Sequence, residues 1–199
     1  MTREVTLALI DAATATVDAH AAELTKLDQA IGDGDHGSNM QRGFQAIARD
    51  REALAAMEPG EALMKAGMTL VTTVGGASGP LYGSLLMGMG KAAEAGKSWT
   101  EAFAEAVDSV KKRGKSDVGA KTMLDVLVPV LETLRAEGEG AFASIRSTAD
   151  AAREATKPML ATRGRASFLG ERSRDHYDPG ATSSQLLVHA VCDVLEKRT

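Results

Sequence analysis

Apolar residues recur at helical spacing along almost the whole chain, and this periodicity is the feature that most limits its fold. Near the start, Val5, Leu9, Ala13, Val17 and Leu24 follow one another at steps of four and seven residues, with charged side chains between them. Such spacing places an apolar stripe on one face of a helix, where it can pack on a core. No run of four to eight residues has the two-residue alternation of a half-buried strand. The sequence therefore predicts an all-α protein.

Seven further helices are predicted, at about residues 39–58, 61–74, 81–95, 100–114, 120–135, 141–157 and 182–197. Eight helices of similar length with short connections are typical of an antiparallel bundle or barrel. Gly83, Gly88 and Gly90 lower the helix propensity of the predicted fourth helix, and close packing against a neighbour would explain them. A chain of 199 residues is long enough for one domain, over residues 1–199, with a complete hydrophobic core.

The charge balance and the single cysteine restrict the environment and the partners of this protein. The chain has 23 basic and 27 acidic residues, whereas binding to nucleic acid phosphates needs a basic surplus. No segment has the roughly 18 uninterrupted apolar residues of a membrane span, and the N-terminal segment lacks the apolar core of a secretory signal. Cys192 has no second cysteine with which to form a disulfide. We therefore expect a cytoplasmic protein that binds neither nucleic acid nor membranes.

Three polar or glycine-rich segments interrupt the helical pattern, and the first of them, residues 28–39, is rich in carboxylates. Asp28, Asp33 and Asp35 follow one another at the predicted end of the first helix, where the helix dipole disfavours negative charge. A cation would offset that cost, and hard oxygen ligands alternating with glycine suit Mg²⁺. A solvated acidic turn is the alternative.

Two familiar motifs do not fit this first segment. Residues 32–37 match the letters of a dinucleotide-binding G-x-G-x-x-G turn, but no predicted strand precedes them. A calcium-binding EF-hand loop that starts at Asp33 would need glycine at Ser38 and glutamate at Phe44. His36 can be a metal ligand, a phosphate contact, a catalytic base or a hydrogen-bonding partner. Its position beside the acidic residues favours contact with a phosphate, and the same holds for Asn39.

The second and third segments point to anion binding. Residues 75–80, Gly-Gly-Ala-Ser-Gly-Pro, let the backbone approach an anion closely and open a helix whose N–H groups favour negative charge. A tight turn between helices is the alternative. Residues 163–180 contain four arginines, which suit phosphate or ribose recognition or an acidic partner, although a solvated charged loop has the same composition. Together, the three segments predict a site for a magnesium-bound nucleotide.

Four segments occur in this order along the chain: IGDGDHGSNMQRGF, GMTLVTTVGGASGPLYG, KTMLDVLVPV and RGRASFLGERSRDHYDPGATS. Together they resemble the nucleotide-binding L subunit of bacterial dihydroxyacetone kinase, and the resemblance extends over nearly the whole chain. It implies a barrel of eight antiparallel helices that holds ADP or ATP with two Mg²⁺ at one end. Relatives associated with fatty-acid kinases, whose motif reads Asp-Gly-Asp-Thr-Gly, are less similar, because His36 stands here in place of the threonine.

The same resemblance implies the residues of the site. Three carboxylates bind the two metal ions: Asp28, Asp33 and Asp35. The residues that lie against the phosphates are His36, Gly37, Ser38, Asn39, Ala77 and Ser78. The remaining nucleotide contacts are Gly114, Met123 on the adenine, Arg165, Asp178, Pro179 and Gly180. No catalytic residue is implied in this chain, because the histidine that holds the substrate belongs to another subunit.

The resemblance also implies partners. In family members with separate subunits, a phosphotransferase-system M subunit phosphorylates the bound ADP, and the phosphoryl group passes to dihydroxyacetone on the K subunit. Relatives that use ATP directly are single long polypeptides in which a domain like this one is joined to a substrate-binding domain. Because this chain corresponds to the L part alone, the leading hypothesis is the ADP-carrying subunit of a phosphotransferase-dependent dihydroxyacetone kinase.

Two other functions stay open at this point. The first is an ATP-using L subunit of a kinase for another small ketose, such as a tetrulose. The second is a non-catalytic subunit that senses its nucleotide state and binds a transcriptional regulator. Association into a homodimer is also left open by the sequence.

Overall fold

The computed structural model describes residues 1–198, and in this range it contains nine α-helices, one 3₁₀ helix and no strand. The α-helices are α1 (Arg3–Ile31), α2 (His36–Arg49), α3 (Arg51–Ala55), α4 (Pro59–Thr73), α5 (Ser78–Glu94), α6 (Trp99–Gly114), α7 (Leu124–Glu137), α8 (Phe142–Ala155) and α9 (Pro179–Glu196). The 3₁₀ helix covers Arg165–Ser173, between α8 and α9. The prediction of an all-α protein is confirmed.

The eight longer helices form a closed ring. α1 packs on α2, α2 packs on α4, each helix from α4 to α8 packs on the next one, and α9 returns to α1. Neighbouring helices run antiparallel, as α8 and α9 illustrate. Arg146, near the start of α8, pairs with Glu196 at the end of α9, whereas Arg153, near the end of α8, hydrogen-bonds to Thr182 at the start of α9. The expected antiparallel barrel is therefore present.

Two apolar clusters join the helices of the ring. The larger one contains side chains of α1, α2, α4, α5, α6 and α7, among them Val17, Met40, Leu70 and Val107. The smaller one joins α7, α8 and α9 and includes Cys192, which is buried like a small apolar residue. Removal of these side chains from water is the main favourable contribution to the stability of such a fold.

Glycines allow α5 to approach its neighbours closely. A Cβ atom on Gly83 would lie 2.8 Å from the carbonyl oxygen of Gly67 in α4 and 2.5 Å from Val71 Cγ2. A Cβ atom on Gly88 would lie 2.6 Å from Ser109 Oγ in α6. These distances are shorter than van der Waals contacts. The close packing expected from the glycines of the fourth predicted helix is therefore confirmed.

The predicted count of eight helices is not confirmed, because the predicted second helix is divided. α2 ends at Arg49, Asp50 has the non-helical backbone angles φ −98° and ψ 8°, and α3 begins at Arg51. The helix predicted from residue 120 begins only at Leu124. Gly119 and Lys121 have positive φ values of 87° and 61°, which a right-handed helix excludes.

The third interruption of the helical pattern also differs from the prediction. Residues 163–180 were expected to lack helical structure, but Arg165–Ser173 forms a 3₁₀ helix with a kink at Gly170. α9 begins at Pro179, three residues before the predicted start, because the Asp178 side chain accepts a hydrogen bond from the Ala181 N–H and so caps the helix. Among the described residues, no helix combines the length and the apolar character that a membrane crossing requires.

Candidate functional site

The three interruptions of the helical pattern meet at one end of the barrel. In an antiparallel ring, alternate connections lie at the same end, and here these connections follow α1, α4, α6 and α8. Contacts between them include Arg165 with Asp33 and His36 with Ser78. Segments that are far apart in the sequence therefore form one surface, which carries the predicted site residues.

Three carboxylates form a cluster just after α1. One carboxylate oxygen from each of Asp28, Asp33 and Asp35 lies within 4.8 Å of the others. Asp28 is buried and accepts hydrogen bonds from the backbone N–H groups of Asp35, at 2.8 Å, and His36, at 3.1 Å. These bonds fix the turn that carries the other two carboxylates. The predicted metal ligands are thus brought together, and three hard oxygen donors at this separation fit Mg²⁺.

A single arginine partly balances the charge of this cluster. Arg165 Nε lies 2.8 Å from Asp33 Oδ2, although both side chains are substantially exposed to solvent. Three carboxylates and one guanidinium leave a local charge of about −2 at the end of α1, where the helix dipole is also negative. A divalent cation would reduce the repulsion among the three carboxylates.

His36 is a buried hydrogen-bonding partner rather than a free base. Its Nδ1 lies 2.8 Å from Ser78 Oγ, and its Nε2 lies 2.9 Å from Ser183 Oγ. Burial lowers the pKa of His36 to about 4, and the nearby carboxylates of Asp28 and Asp35 oppose this shift only in part. The ring is therefore neutral at physiological pH, and it links α2 to α5 and α9. Both ring nitrogens are engaged in these hydrogen bonds, and the phosphate contact expected of His36 stays a prediction.

The other predicted phosphate contacts lie at the starts of α2 and α5. Gly37 packs directly on α1, since a Cβ atom there would overlap the carbonyl oxygen of Ala21. Ser38 is exposed and donates its hydroxyl to the Asp35 carbonyl oxygen at 2.9 Å. Asn39 is buried beside Gly75, whose added Cβ atom would lie 3.1 Å from Asn39 Oδ1. The first two segments are therefore in direct contact.

Neither N-cap residue, Asp35 of α2 or Ala77 of α5, caps its helix with its own side chain, although the Asp28 carboxylate accepts the His36 N–H at the start of α2. Ala77, at the exposed N-cap of α5, follows Gly76, whose φ is +64°, and Ser78 is the first residue of the helix. Uncapped helix starts leave backbone N–H groups that can bind an anion. The start of α5 therefore retains the character expected of a phosphate cradle.

The predicted contacts with the rest of the nucleotide come from several connections and helix ends. Gly180 approaches Met123 so closely that a Cβ atom on it would lie 3.4 Å from the Met123 N atom. Met123 is buried in the larger apolar cluster, and Pro179 is the first residue of α9. Gly114 ends α6, and a Cβ atom on it would lie 3.3 Å from Leu81 Cδ2 in α5. Gly180 and Met123 are therefore in contact, whereas Gly114 packs on α5.

Asp178 is a buried carboxyl group with an unusual titration. Desolvation raises the pKa of Asp178 to about 7, and the nearby Asp125 carboxylate adds to the shift. The hydrogen bond from the Ala181 N–H and the positive charge of Lys121 act in the opposite direction. The immediate role of Asp178 in the fold is therefore the cap of α9.

An open cleft of about 450 Å³ lies between the connection after α6 and the connection after α8. Its volume is in the range of small-molecule sites. Its lining is mainly polar and includes three basic side chains, those of Lys111, Lys115 and Arg163. Asp117 and Val118 also line the cleft. Sequence reasoning did not identify Lys111 or Lys115, although the run of basic residues at the end of α6 was a visible signal.

Sequence reasoning also missed a group of buried hydroxyls beside His36. Tyr82 OH lies 2.7 Å from Ser183 Oγ and 2.9 Å from Ser184 Oγ, and burial raises the pKa of Tyr82 to about 12. Ser183 in turn donates to the Gly180 carbonyl oxygen at 3.1 Å. The run Thr182-Ser183-Ser184 at the start of a helix was the sequence signal for this group. The structure buries all three hydroxyls, and buried hydroxyls require hydrogen-bonding partners.

Comparisons with known proteins show which family this chain resembles. Residues 30–193 match the DAK2 domain. The chain is 45% identical over 175 residues to the PEP-dependent dihydroxyacetone kinase 1, ADP-binding subunit DhaL, of Listeria innocua, covering 84% of each protein. It is 44% identical over 176 residues to the PEP-dependent dihydroxyacetone kinase, ADP-binding subunit DhaL, of Escherichia coli, covering 83% of this chain and 84% of that protein.

A solved structure shares the fold. The dihydroxyacetone kinase of C. freundii in complex with AMP-PNP and Mg²⁺ superposes with a TM-score of 0.79 at 26% sequence identity. The match covers 98% of this chain but only 34% of that one, so the chain spans about a third of the length of the larger kinase. From the matched domain and the identity to these subunits, we conclude that the chain belongs to the DAK2 domain family, as a relative of the ADP-binding subunits of dihydroxyacetone kinases.

Proposed function

We propose that this chain is the ADP/ATP-carrying subunit of a PEP-dependent dihydroxyacetone kinase. The observation that carries the proposal is the cluster of Asp28, Asp33 and Asp35, whose carboxylate oxygens lie within 4.8 Å of one another. His36, which follows this cluster, is hydrogen-bonded to Ser78 at the uncapped start of α5. A cation site next to an anion site suits the phosphates of a magnesium-bound nucleotide. The similarity to ADP-binding subunits supports the same conclusion.

Each part of the site has a role in this proposal. Asp28, Asp33 and Asp35 hold two Mg²⁺, which, when bound, neutralise phosphate charge and stabilise the charge that develops during phosphoryl transfer. The starts of α2 and α5 orient the phosphates through Gly37, Ser38, Asn39, Ala77 and Ser78. His36 fixes the orientation of Ser78 and of Ser183. Gly114, Met123, Arg165 and the Asp178–Gly180 turn surround the rest of the nucleotide.

The chain positions the nucleotide and supplies no general base. Phosphoryl transfer depends mainly on positioning and on charge stabilisation, so a carrier needs little covalent chemistry of its own. In this proposal, a phosphotransferase-system M subunit phosphorylates the bound ADP, and a K subunit presents dihydroxyacetone as the acceptor. The product is dihydroxyacetone phosphate. We expect these steps to take place in the cytoplasm.

Native mass spectrometry of the gently purified protein, before and after EDTA, tests the carrier function. We expect a mass excess that corresponds to ADP and two Mg²⁺ and that disappears on chelation. Asp33→Asn should abolish nucleotide retention without changing the circular dichroism spectrum. Asp108→Asn makes the same chemical change on the exposed surface of α6 and should retain the nucleotide. A protein that neither carries ADP nor takes up added Mg-ADP would contradict the proposal.

A second candidate function is direct use of ATP. It is favoured by the structural similarity to a kinase that was crystallised with AMP-PNP, an ATP analogue. In that case the chain serves a kinase for dihydroxyacetone or for another small ketose, such as a tetrulose. Turnover with a purified K subunit and excess ATP, without phosphotransferase components, would support this function. Turnover that requires the M subunit would support the carrier function.

A further inference from the structure

Lys121 is a buried lysine in the connection between α6 and α7. Lys121 is only 1% exposed to solvent, and its backbone φ of +61° lies in the left-handed region. Lysine is among the residues least often fully buried, because removal of its ammonium group from water is costly. A non-glycine residue with positive φ adds a further conformational cost. Both costs have to be offset by interactions that Lys121 makes.

Its ammonium group is surrounded by backbone carbonyl oxygens. Nζ lies 2.6 Å from the Ser173 oxygen, 2.7 Å from the His176 oxygen, 3.1 Å from the Met159 oxygen and 3.3 Å from the Lys157 oxygen. An ammonium group has three N–H donors, so it satisfies three of these four acceptors at a time. Burial lowers the pKa of Lys121, while the carboxylates of Asp178 and Asp175 oppose this shift.

The four carbonyl oxygens lie on both sides of one loop. Lys157 and Met159 lie just after the end of α8, whereas Ser173 ends the 3₁₀ helix and His176 lies between that helix and α9. The residues between these two pairs, 160–172, form an excursion whose ends are held together at Lys121. Such a compact loop with adjoining ends has the form of an Ω-loop. Lys121 therefore lies at the neck of this loop.

Other hydrogen bonds at the neck are mostly between neutral groups, and one of them, from the Thr162 N–H to the Ala120 carbonyl oxygen at 3.2 Å, also reaches the segment that carries Lys121. The Asp175 N–H donates to the Lys157 carbonyl oxygen at 2.8 Å, and the Ala161 N–H donates to Ser173 Oγ at 3.0 Å. Arg174 Nη1 donates to the Pro158 oxygen at 2.7 Å from an exposed position. The Lys121 ammonium group joins the neck to the connection between α6 and α7. Its hydrogen bonds come from a charged donor and are therefore stronger than bonds between neutral groups.

The loop carries Arg165 to the carboxylate cluster. Ala166 packs with Ile31 at the end of α1 and with Ala161, and Arg165 pairs with Asp33. On its other side, Lys121 is two residues from Met123, which Gly180 contacts closely. One buried ammonium group thus connects the segment that bears Arg165 with the segment that bears Met123.

We propose that Lys121 is a positioning residue: it closes the neck of residues 157–176 and so holds Arg165 and Met123 at a fixed separation across the site. This role rests on the proposed nucleotide function. A loop that is held before the ligand binds loses less conformational entropy on binding, and this increases affinity. Because Lys121 is buried, this role requires no contact between Lys121 and the nucleotide.

Lys121→Met tests this role in the full chain, with Lys65→Met on the exposed surface of α4 as the matched control. We expect Lys121→Met to weaken Mg-ADP binding about tenfold, as is common when a residue that supports a binding group is lost. The dissociation constant is measured by calorimetry well below the melting temperature. Trypsin should also cleave the 160–172 loop faster, whereas Lys65→Met should behave like the wild type.

A double-mutant cycle distinguishes positioning from a general loss of stability. If Lys121 acts through Arg165, the losses in affinity caused by Lys121→Met and Arg165→Ala will not multiply in the double variant. A purely structural role would lower the melting temperature and leave the dissociation constant of the folded protein unchanged. Unchanged affinity in Lys121→Met, or losses that multiply, would overturn the proposal.

The proposal can still be tested if Lys121→Met does not fold or if the wild type does not bind Mg-ADP. If Lys121→Met does not fold, Ser173→Ala is the second variant. It removes the hydrogen bonds of the Ser173 hydroxyl to Ala161 and Gly170 at the neck, and it keeps the Lys121 ammonium group and its bonds to the carbonyl oxygens. Like Lys121→Met, Ser173→Ala should accelerate tryptic cleavage of the loop and weaken Mg-ADP binding. Wild-type behaviour in both assays would overturn the proposal. If the wild type itself does not bind Mg-ADP, the proposed function fails. The trypsin assay then still decides whether Lys121 holds the loop.

Discussion

Arg165 Nε lies 2.8 Å from Asp33 Oδ2, so the arginine expected at the nucleotide is paired with one of the carboxylates expected at the metal. Both side chains come from connections at the same end of the barrel, separated by most of the chain. Because the pair is exposed, the interaction is weak and easily exchanged. In the proposed function, the guanidinium therefore stabilises the carboxylate cluster in one state and contacts the nucleotide in another.

This pairing predicts opposite effects of Arg165→Ala on two ligands. Loss of the positive charge should strengthen binding of Mg²⁺ alone by about two- to fivefold, the size of an exposed charge interaction. Binding of Mg-ADP should weaken by about tenfold, because a charged hydrogen-bond donor to the nucleotide is lost. Isothermal titration calorimetry measures both. Arg172→Ala, at an exposed position of the same segment, is the control, and a change in the same direction for both ligands would contradict the prediction.

His36→Ala should destabilise the fold. It leaves Ser78 Oγ and Ser183 Oγ without the ring nitrogens that now lie 2.8 and 2.9 Å away. We expect a loss of about 1–3 kcal/mol in the free energy of unfolding, measured by urea denaturation. His20→Ala, on the exposed surface of α1, should change it by less than about 0.5 kcal/mol. Unchanged stability together with lost nucleotide binding would instead identify His36 as a direct phosphate contact.

Asp178 should make the protein less stable as the pH rises towards neutrality. The folded-state pKa of Asp178 is about 7, and its ordinary value is 3.8, so in this window the folded state retains a proton that the unfolded state has lost. The contribution of Asp178 to the free energy of unfolding therefore falls between about pH 4 and pH 7, by at most about 1.4 kcal/mol per pH unit. Asparagine keeps the helix-capping ability without titrating.

The measurement is urea denaturation of the wild type and of Asp178→Asn at several pH values from 4.5 to about 8. The stability of Asp178→Asn relative to the wild type should increase with pH and level off above pH 7. Parallel curves for the two proteins would mean that burial does not raise the pKa of Asp178. Asp108→Asn, which changes an exposed carboxylate on α6, provides the control for a general charge effect.

Gly83→Ala should destabilise the contact of α4 with α5, although alanine favours helices. The new Cβ atom would lie 2.8 Å from the Gly67 carbonyl oxygen, which belongs to the backbone and cannot rotate away. Overpacking of this kind costs about 1–3 kcal/mol and outweighs the gain of about 1 kcal/mol in helix propensity. Thermal unfolding measures the difference. Gly140→Ala, where no atom lies within 4 Å of the added Cβ, should leave the melting temperature nearly unchanged.

Much of the fold could be predicted from local patterns in the sequence. The apolar spacing identified the helices because each helix buries one face, and this spacing persists over ten or more residues. The break at Asp50 and the late start of α7 were missed, since both depend on the backbone angles of single residues. The carboxylate cluster was predictable because Asp28, Asp33 and Asp35 are close in sequence, so one local turn is enough to assemble them.

The sequence by itself determined the helices, the three interruptions and the local group of carboxylates, because these features depend on residues within a few helical turns of one another. Only the tertiary structure decided which distant side chains meet. Ser183 is 147 residues from His36, and the Ser173 oxygen is 52 residues from the Lys121 ammonium group that it binds. The burial that lowers the pKa of His36 and raises that of Asp178 likewise arises only when the helix ends pack together and exclude water.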